Sequence, residues 1–118
     1  MTKLIRLAPE GSKGLAPCAV VPTEALLPGS EQPVERGAVE LSDGETTGGI
    51  WEATPYAERF DNYPYHEMAH VISGRVIITP EGGEAQNFGP GETYLMEKGF
   101  TGTFEVTETL RKFYFVAA

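Results

Sequence analysis

His66, Glu67 and His70 fall within the stretch Tyr65-His66-Glu67-Met68-Ala69-His70-Val71-Ile72-Ser73-Gly74. Two chemistries compete for them. On a helix, His66-Glu67-x-x-His70 would set both imidazoles on one face to ligate zinc, with Glu67 as general base. That helix would have to fit between Pro64 and Gly74. So short a helix is marginal in water without strong packing. The residues that follow, Val71-Ile72-Ser73-Gly74-Arg75-Val76-Ile77-Ile78-Thr79, are rich in β-branched side chains and broken by a glycine. They read as two strands and a turn. On a strand, His66 and His70 share a face about 13 Å apart, at roughly 3.3 Å per residue. Zinc needs each nitrogen at about 2.0–2.1 Å, so one ion cannot take both. The strand also turns Glu67 to the face opposite the histidines. The strand reading is therefore preferred.

No nucleophile constellation accompanies them. Ser12, Ser30, Ser42 and Ser73 lack a Gly-x-Ser-x-Gly elbow. Gly89-Pro90-Gly91 is a turn, and no phosphate loop ending in Gly-Lys-Ser/Thr exists. Cys18 is the single cysteine and cannot form an internal disulfide. Its Pro17-Cys18-Ala19 setting offers no base or cation, which predicts a buried or inert thiol.

These side chains need a scaffold, and punctuation supplies most of it. A chain of 118 residues is one domain. Fourteen glycines and nine prolines mark many turns. Candidate strands run over 38–41, 49–53, 57–60, 67–73, 75–79, 84–87, 93–96, 102–106 and 110–116. Turn chemistry separates them at Asp43-Gly44, Ser73-Gly74, Glu81-Gly82-Gly83, Gly89-Pro90-Gly91 and Lys98-Gly99. The run from Glu105 to Thr109 reads as a strand end and a solvated turn. Many short strands without a convincing helix imply an all-β sandwich or barrel. Residues 3–7 are a further short strand candidate. Residues 1–36 form an irregular N-terminal arm, broken by Pro9, Pro17, Pro22, Pro28 and Pro33, with one helical turn expected at 23–27. Val20, Val21, Leu26 and Leu27 call for burial, so the arm is expected against the barrel or a partner subunit.

A net charge of −8 argues against non-specific binding to nucleic acid and against anionic membrane surfaces. No apolar run approaches the roughly 18 residues of a membrane-spanning helix, and no signal peptide is evident. The cytoplasm is the expected location.

From Gly37 onward the chain resembles the small single-domain cupins. Glu67, six residues and Gly74-Arg75-Val76 resemble the end of their first motif. Phe88-Gly89-Pro90-Gly91-Glu92 resembles the opening of the second, and Glu97 to Val106 its close. Gly49-Ile50-Trp51-Glu52 and Thr109-Leu110-Arg111-Lys112-Phe113-Tyr114 resemble the subfamily that includes ethanolamine-utilisation protein Q and the cupin domains of ureidoglycine aminohydrolase. The resemblance implies a double-stranded β-helix, or jelly-roll barrel, over 37–118. It also implies a homodimer and a transition metal held by three histidines and a glutamate. Only Glu67 of those four ligands is present. A metal centre is therefore not expected. A rebuilt site for a divalent transition metal would join Glu67 to Asp61 or His66.

The resemblance points Glu67, Ala69 and Val71 into the barrel. A carboxylate there needs a partner. If Leu110, Lys112, Tyr114 and Val116 line the barrel too, Lys112 is that partner. The alternative is a Lys112 that lies along the surface. Trp51, Tyr63, Tyr65 and Tyr114 are the expected aromatic contacts to a small-molecule ligand, and Glu67 and Lys112 the expected catalytic or binding pair. Three functions stay open. One is a cupin that binds a small polar metabolite. Another is an acid–base or metal-dependent enzyme acting on a nitrogen compound or sugar derivative. The last is an interaction subunit with a vestigial pocket.

Overall fold

The computed structural model describes residues 3–118. Its elements, in chain order, are β1 (Ala16–Cys18), a single 3₁₀ turn (Thr23–Ala25), β2 (Glu35–Asp43), β3 (Thr46–Ala53), β4 (Tyr56–Phe60), β5 (His66–Pro80), β6 (Gln86–Phe88), β7 (Thr93–Met96) and β8 (Gly102–Ala117). All pairings are antiparallel. The His-Glu-x-x-His stretch is strand throughout, which removes the helical zinc-ligating geometry.

Two long strands organise the barrel. The first half of β5 pairs with β7 and with the second half of β8; its second half pairs with β6 and with the first half of β8. The first half of β8 also takes β4 on its other edge, and the second half takes β3. Each long strand thus serves both walls. β2 pairs with β3, and β1 extends β2.

The break expected at Ser73-Gly74 is not a turn. β5 passes straight through it, with its register against β8 shifting at Val71/Ser73, Ser73/Arg75 and Arg75/Val76. Gly74 sits at φ +86°, and a Cβ there would lie 2.0 Å from the Thr109 carbonyl oxygen. A bulge adds residues to one strand and bends it without reversing it. The glycine is needed at the bend, not at a hairpin. The solvated turn expected at 105–109 is likewise absent, because β8 runs through it opposite the bulge.

Alternation along these strands fills the interior. Trp51, Tyr56, Ala69, Val71, Val76, Tyr94, Phe104, Val106 and Leu110 belong to one buried cluster. On the outer face Met68 is opposite both Leu95 and Phe115, and all three are exposed.

The arm packs on its own barrel. Ala16 pairs with Gly37 and Cys18 with Glu35. The Leu27 amide donates to the Ala57 carbonyl at 2.9 Å, and Arg111 donates to the Pro9 carbonyl at 3.1 Å. Val21 is buried in the main cluster and Leu26 packs against it. Val20 is exposed, contrary to expectation, and Cys18 is exposed rather than buried, which leaves the inert thiol of the two alternatives. Residues 3–7 form no strand, and regular structure begins before Gly37, at β1 and at Glu35. Lys3 sits at φ +55°, outside the extended region a strand needs.

Gly74→Ala would combine a strained backbone with a clash against Thr109. Urea unfolding is expected to show a loss of about 3 kcal/mol or more. A loss below about 1 kcal/mol would show that the bulge relaxes freely.

Candidate functional site

The inner face of β5 carries Glu67 and that of β8 carries Lys112. Lys112 pairs across the sheet with Val71 on one side and Trp51 on the other, so its long side chain reaches diagonally to Glu67. Lys112 Nζ donates to Glu67 Oε2 at 2.7 Å and to the Tyr94 hydroxyl at 2.8 Å. The Tyr63 hydroxyl donates to Glu67 Oε1 at 2.8 Å. Lys112 is 6% exposed and Glu67 5%. Rings enclose the ammonium, with Nζ 5.0 Å from the Trp51 centroid, 5.1 Å from Phe104 and 5.5 Å from Tyr94. Each such contact stabilises a desolvated cation by about 0.5–2 kcal/mol. Burial pulls the Lys112 pKa down, but the carboxylate of Glu67 and the oxygen of Tyr94 more than offset it, and the net direction is up. Lys112 remains an ammonium.

Two further acids are buried beside this pair. On β4, Tyr56, Glu58 and Phe60 alternate inward, and the Tyr56 hydroxyl donates to Glu58 Oε2 at 2.5 Å. Glu58 is 4% exposed. Burial raises its pKa, more than the Tyr56 hydrogen bond and the nearby Lys112 lower it. Glu35, at the start of β2, accepts from the amides of Val20 and Val21 at 3.0 and 3.2 Å and from the Trp51 indole at 2.9 Å. It fastens the arm to the barrel. Tyr56, Tyr63 and Tyr94 all have raised pKa values, chiefly through burial, so they stay phenols.

Glu58, Glu67, Lys112 and Tyr63 line a cavity of about 580 Å³. All six residues expected to contact a ligand border it: Glu67, Lys112, Tyr63, Tyr65, Trp51 and Tyr114. The arm supplies part of the wall through Ala16–Cys18 and Val20–Pro22. Cys18 sits there as an exposed thiol, its pKa raised by burial of part of its surface and by Glu35, which disfavours a thiolate. A cleft of about 590 Å³ along β6 and β7 holds none of the four buried charged residues. Its size alone gives it no chemistry.

Sequence reasoning overlooked Glu58, Glu35 and Tyr94 as members of this site. A signal for Glu58 existed: it shares a strand face with Tyr56 and Phe60, and an acid between two inward aromatics needs an explanation. Glu35 carried no such signal, because its partners are backbone amides of the arm.

His66 and His70 lie on the outer face. His66 accepts from the Lys98 amide at 3.0 Å, and His70 bonds Thr93 at 2.9 Å and stacks on Phe113. His66 therefore cannot join Glu67 in a rebuilt metal site, since strand alternation sets them on opposite faces. Asp61 borders the cavity, but among the described residues no three His, Cys, Asp or Glu side chains are grouped to share an ion. The metal implied by the cupin resemblance does not fit this donor set. No imidazole lines the cavity, and an ammonium already occupies Glu67 Oε2.

The profile of the EutQ-like cupin domain matches residues 40–114. The chain belongs to the EutQ-like cupin family. A protein of unknown function from Pseudomonas syringae pv. tomato superposes with a TM-score of 0.80 at 27% identity, over 87% of this chain and 44% of that one. This cupin thus spans less than half the length of that relative. The EutQ protein of Clostridium difficile gives a TM-score of 0.62 at 20% identity, over 84% and 79% of the two chains. A putative ethanolamine utilization protein from Salmonella typhimurium gives 0.63 at 15% identity, over 87% and 93%. At those identities the last two establish the fold alone. No functionally curated protein matches the cupin. No helix among its described residues is long and apolar enough to cross a membrane.

Lys112→Met would leave Glu67 buried without its counter-ion and is expected to cost about 3–5 kcal/mol. Glu67→Leu with Lys112→Met should recover most of that loss, measured by urea unfolding of the single and double variants. A double variant no better than the single one would show that the pair is worth more than its desolvation. Glu58 gives a pH signature. Its folded pKa lies above its unfolded one, so its contribution is fully present below the unfolded value and is lost as pH rises through the folded value. Glu58→Gln should therefore raise the melting temperature at pH 8 relative to the wild type, with the gain shrinking towards pH 4. A gain that grew on acidification would reverse the sign assigned here.

Proposed function

We propose that this cupin binds a small polar metabolite in its barrel, on the Glu67–Lys112 pair, without the transition-metal centre of related cupins. One observation carries the reading: a hydrogen-bonded ion pair is buried at the wall of an open cavity large enough for a metabolite. Replacing such a pair with apolar residues of similar volume is often neutral or stabilising, so fold stability is weak grounds for keeping one. Polar groups placed in a mostly aromatic pocket are what fix the orientation of a ligand. Lys112 makes two of the three hydrogen bonds an ammonium can donate. The third is free to meet an acceptor on the ligand. Glu67 keeps acceptor sites beyond the two in use.

The neighbours described as the EutQ protein and a putative ethanolamine utilization protein lend no substrate to this chain, because their identity is too low to pass on more than a fold.

Two measurements test the reading. Elemental mass spectrometry of protein purified without a histidine tag is expected to find transition metal well below one equivalent. A stoichiometric metal would refute the metal-free site. Screening polar metabolites by thermal shift is expected to find ligands that lose about tenfold or more in affinity with Glu67→Gln, which keeps the shape and removes the charge. Ligands held equally well by that variant would place binding elsewhere.

A further inference from the structure

The buried charges of the barrel do not balance. Three acids, Glu35, Glu58 and Glu67, share the interior with one base, Lys112. Lys112 answers Glu67. Glu35 is held by two backbone amides and an indole. Glu58 is different. Only its Oε2 takes a hydrogen bond, from Tyr56, and its Oε1 has none among the described residues. No fully buried side-chain oxygen or nitrogen among those residues lacks a partner. Oε1 therefore keeps some exposed surface, and the cavity is the open space that Glu58 lines. It is a carboxylate oxygen on a side chain more than nine-tenths buried, with no cation assigned to it.

The walls suit a cation. Trp51, Phe60, Tyr63, Tyr65, Phe104 and Tyr114 border the cavity. The barrel already desolvates one ammonium, that of Lys112, against aromatic faces. Glu58 pairs across β4 and β8 with Phe104, and the Lys112 ammonium lies over that same ring. An acceptor-seeking donor at Lys112 and a cation-seeking acceptor at Glu58 therefore both neighbour one aromatic residue. At the rim, Asp61 adds an acid, while Arg59 is paired with Glu81 at 2.8 Å. The net charge of −8 further favours the approach of cations.

We propose that the ligand of this barrel is a small organic ammonium compound bearing a hydrogen-bond acceptor, its ammonium on Glu58 and its acceptor on Lys112. The proposal rests on the reading of the cavity as a metabolite site and adds the ligand class and a second recognition residue. The raised pKa of Glu58 agrees with it, because burial disfavours the charged form more than the Tyr56 hydrogen bond and the nearby Lys112 favour it, and a ligand cation would relieve that.

The test uses three probes that share one carboxylate end and differ at the other: γ-aminobutyrate, γ-hydroxybutyrate and glutarate. Trp51 is the single tryptophan and lines the cavity, so its fluorescence reports occupancy. The amine is expected to bind about tenfold to a hundredfold tighter than the alcohol, the range of one charge-assisted hydrogen bond, with glutarate weakest. Glu58→Gln, which can still accept from Tyr56, should erase the preference for the amine while leaving the alcohol's affinity in place. Tighter binding of glutarate or of the alcohol would overturn the ammonium assignment and leave the metabolite site standing. An amine preference that survives Glu58→Gln would overturn the role of Glu58. No Trp51 response to any of the three, up to high millimolar concentration, would sink both the ligand class and the cavity reading.

Discussion

The ammonium of Lys112 inside the barrel is the constraint on which the rest of the interior depends. A lone ammonium there would shed its proton or force the barrel open. It persists because Glu67 answers its charge, Tyr94 takes a second hydrogen bond, and three aromatic faces replace its water. Each of those partners must then be positioned in turn. Tyr63 orients the far oxygen of Glu67. Glu35 orients Trp51 through its indole, and by the same carboxylate it holds the arm. Lys112, Glu67, Tyr94, Tyr63, Trp51 and Glu35 form one connected arrangement, while Glu58 stands apart with Tyr56.

This arrangement stands where related cupins are expected to hold a metal. An ammonium and a metal ion present different demands. A metal needs several lone pairs converging at about 2 Å. An ammonium donates three hydrogen bonds at ordinary distances and tolerates aromatic neighbours. The donor set of this barrel satisfies the second demand and fails the first. Charge in the barrel is thus supplied by the chain itself. The same fold can be put to different uses because the scaffold depends on bulges and alternation, while the chemistry depends on a few inward side chains.

The arm belongs to the site as much as to the surface. β1 continues the sheet past β2, and the residues after it form part of the cavity wall. Glu35 couples the two, since one side chain binds both the arm's amides and the tryptophan that packs on Lys112. The arm's share of the cavity wall and the tryptophan's are therefore linked through a single carboxylate.

Much of this was legible in the sequence. Period-two alternation put Glu67 with Ala69 and Val71, and Lys112 with Leu110 and Tyr114, because side chains on a strand must take opposite faces in turn. Gly and Pro punctuation marked the hairpin at Asp43-Gly44 and the turn at Lys98-Gly99 that leads from β7 to β8, because those turns need local backbone geometry that neighbours cannot impose. Three things were decided only by the tertiary structure. Whether Gly74 ends a strand or bends it depends on the carbonyl of Thr109, which lies 35 residues away in sequence. Glu58 and Glu35 became buried only when distant strands closed over them, and no local pattern encodes that closure. The meeting of Glu67 with Lys112, 45 residues apart, is set by the register between β5 and β8. Periodicity determines which face a side chain takes. Register determines whom it meets there, and register is a property of the assembled barrel.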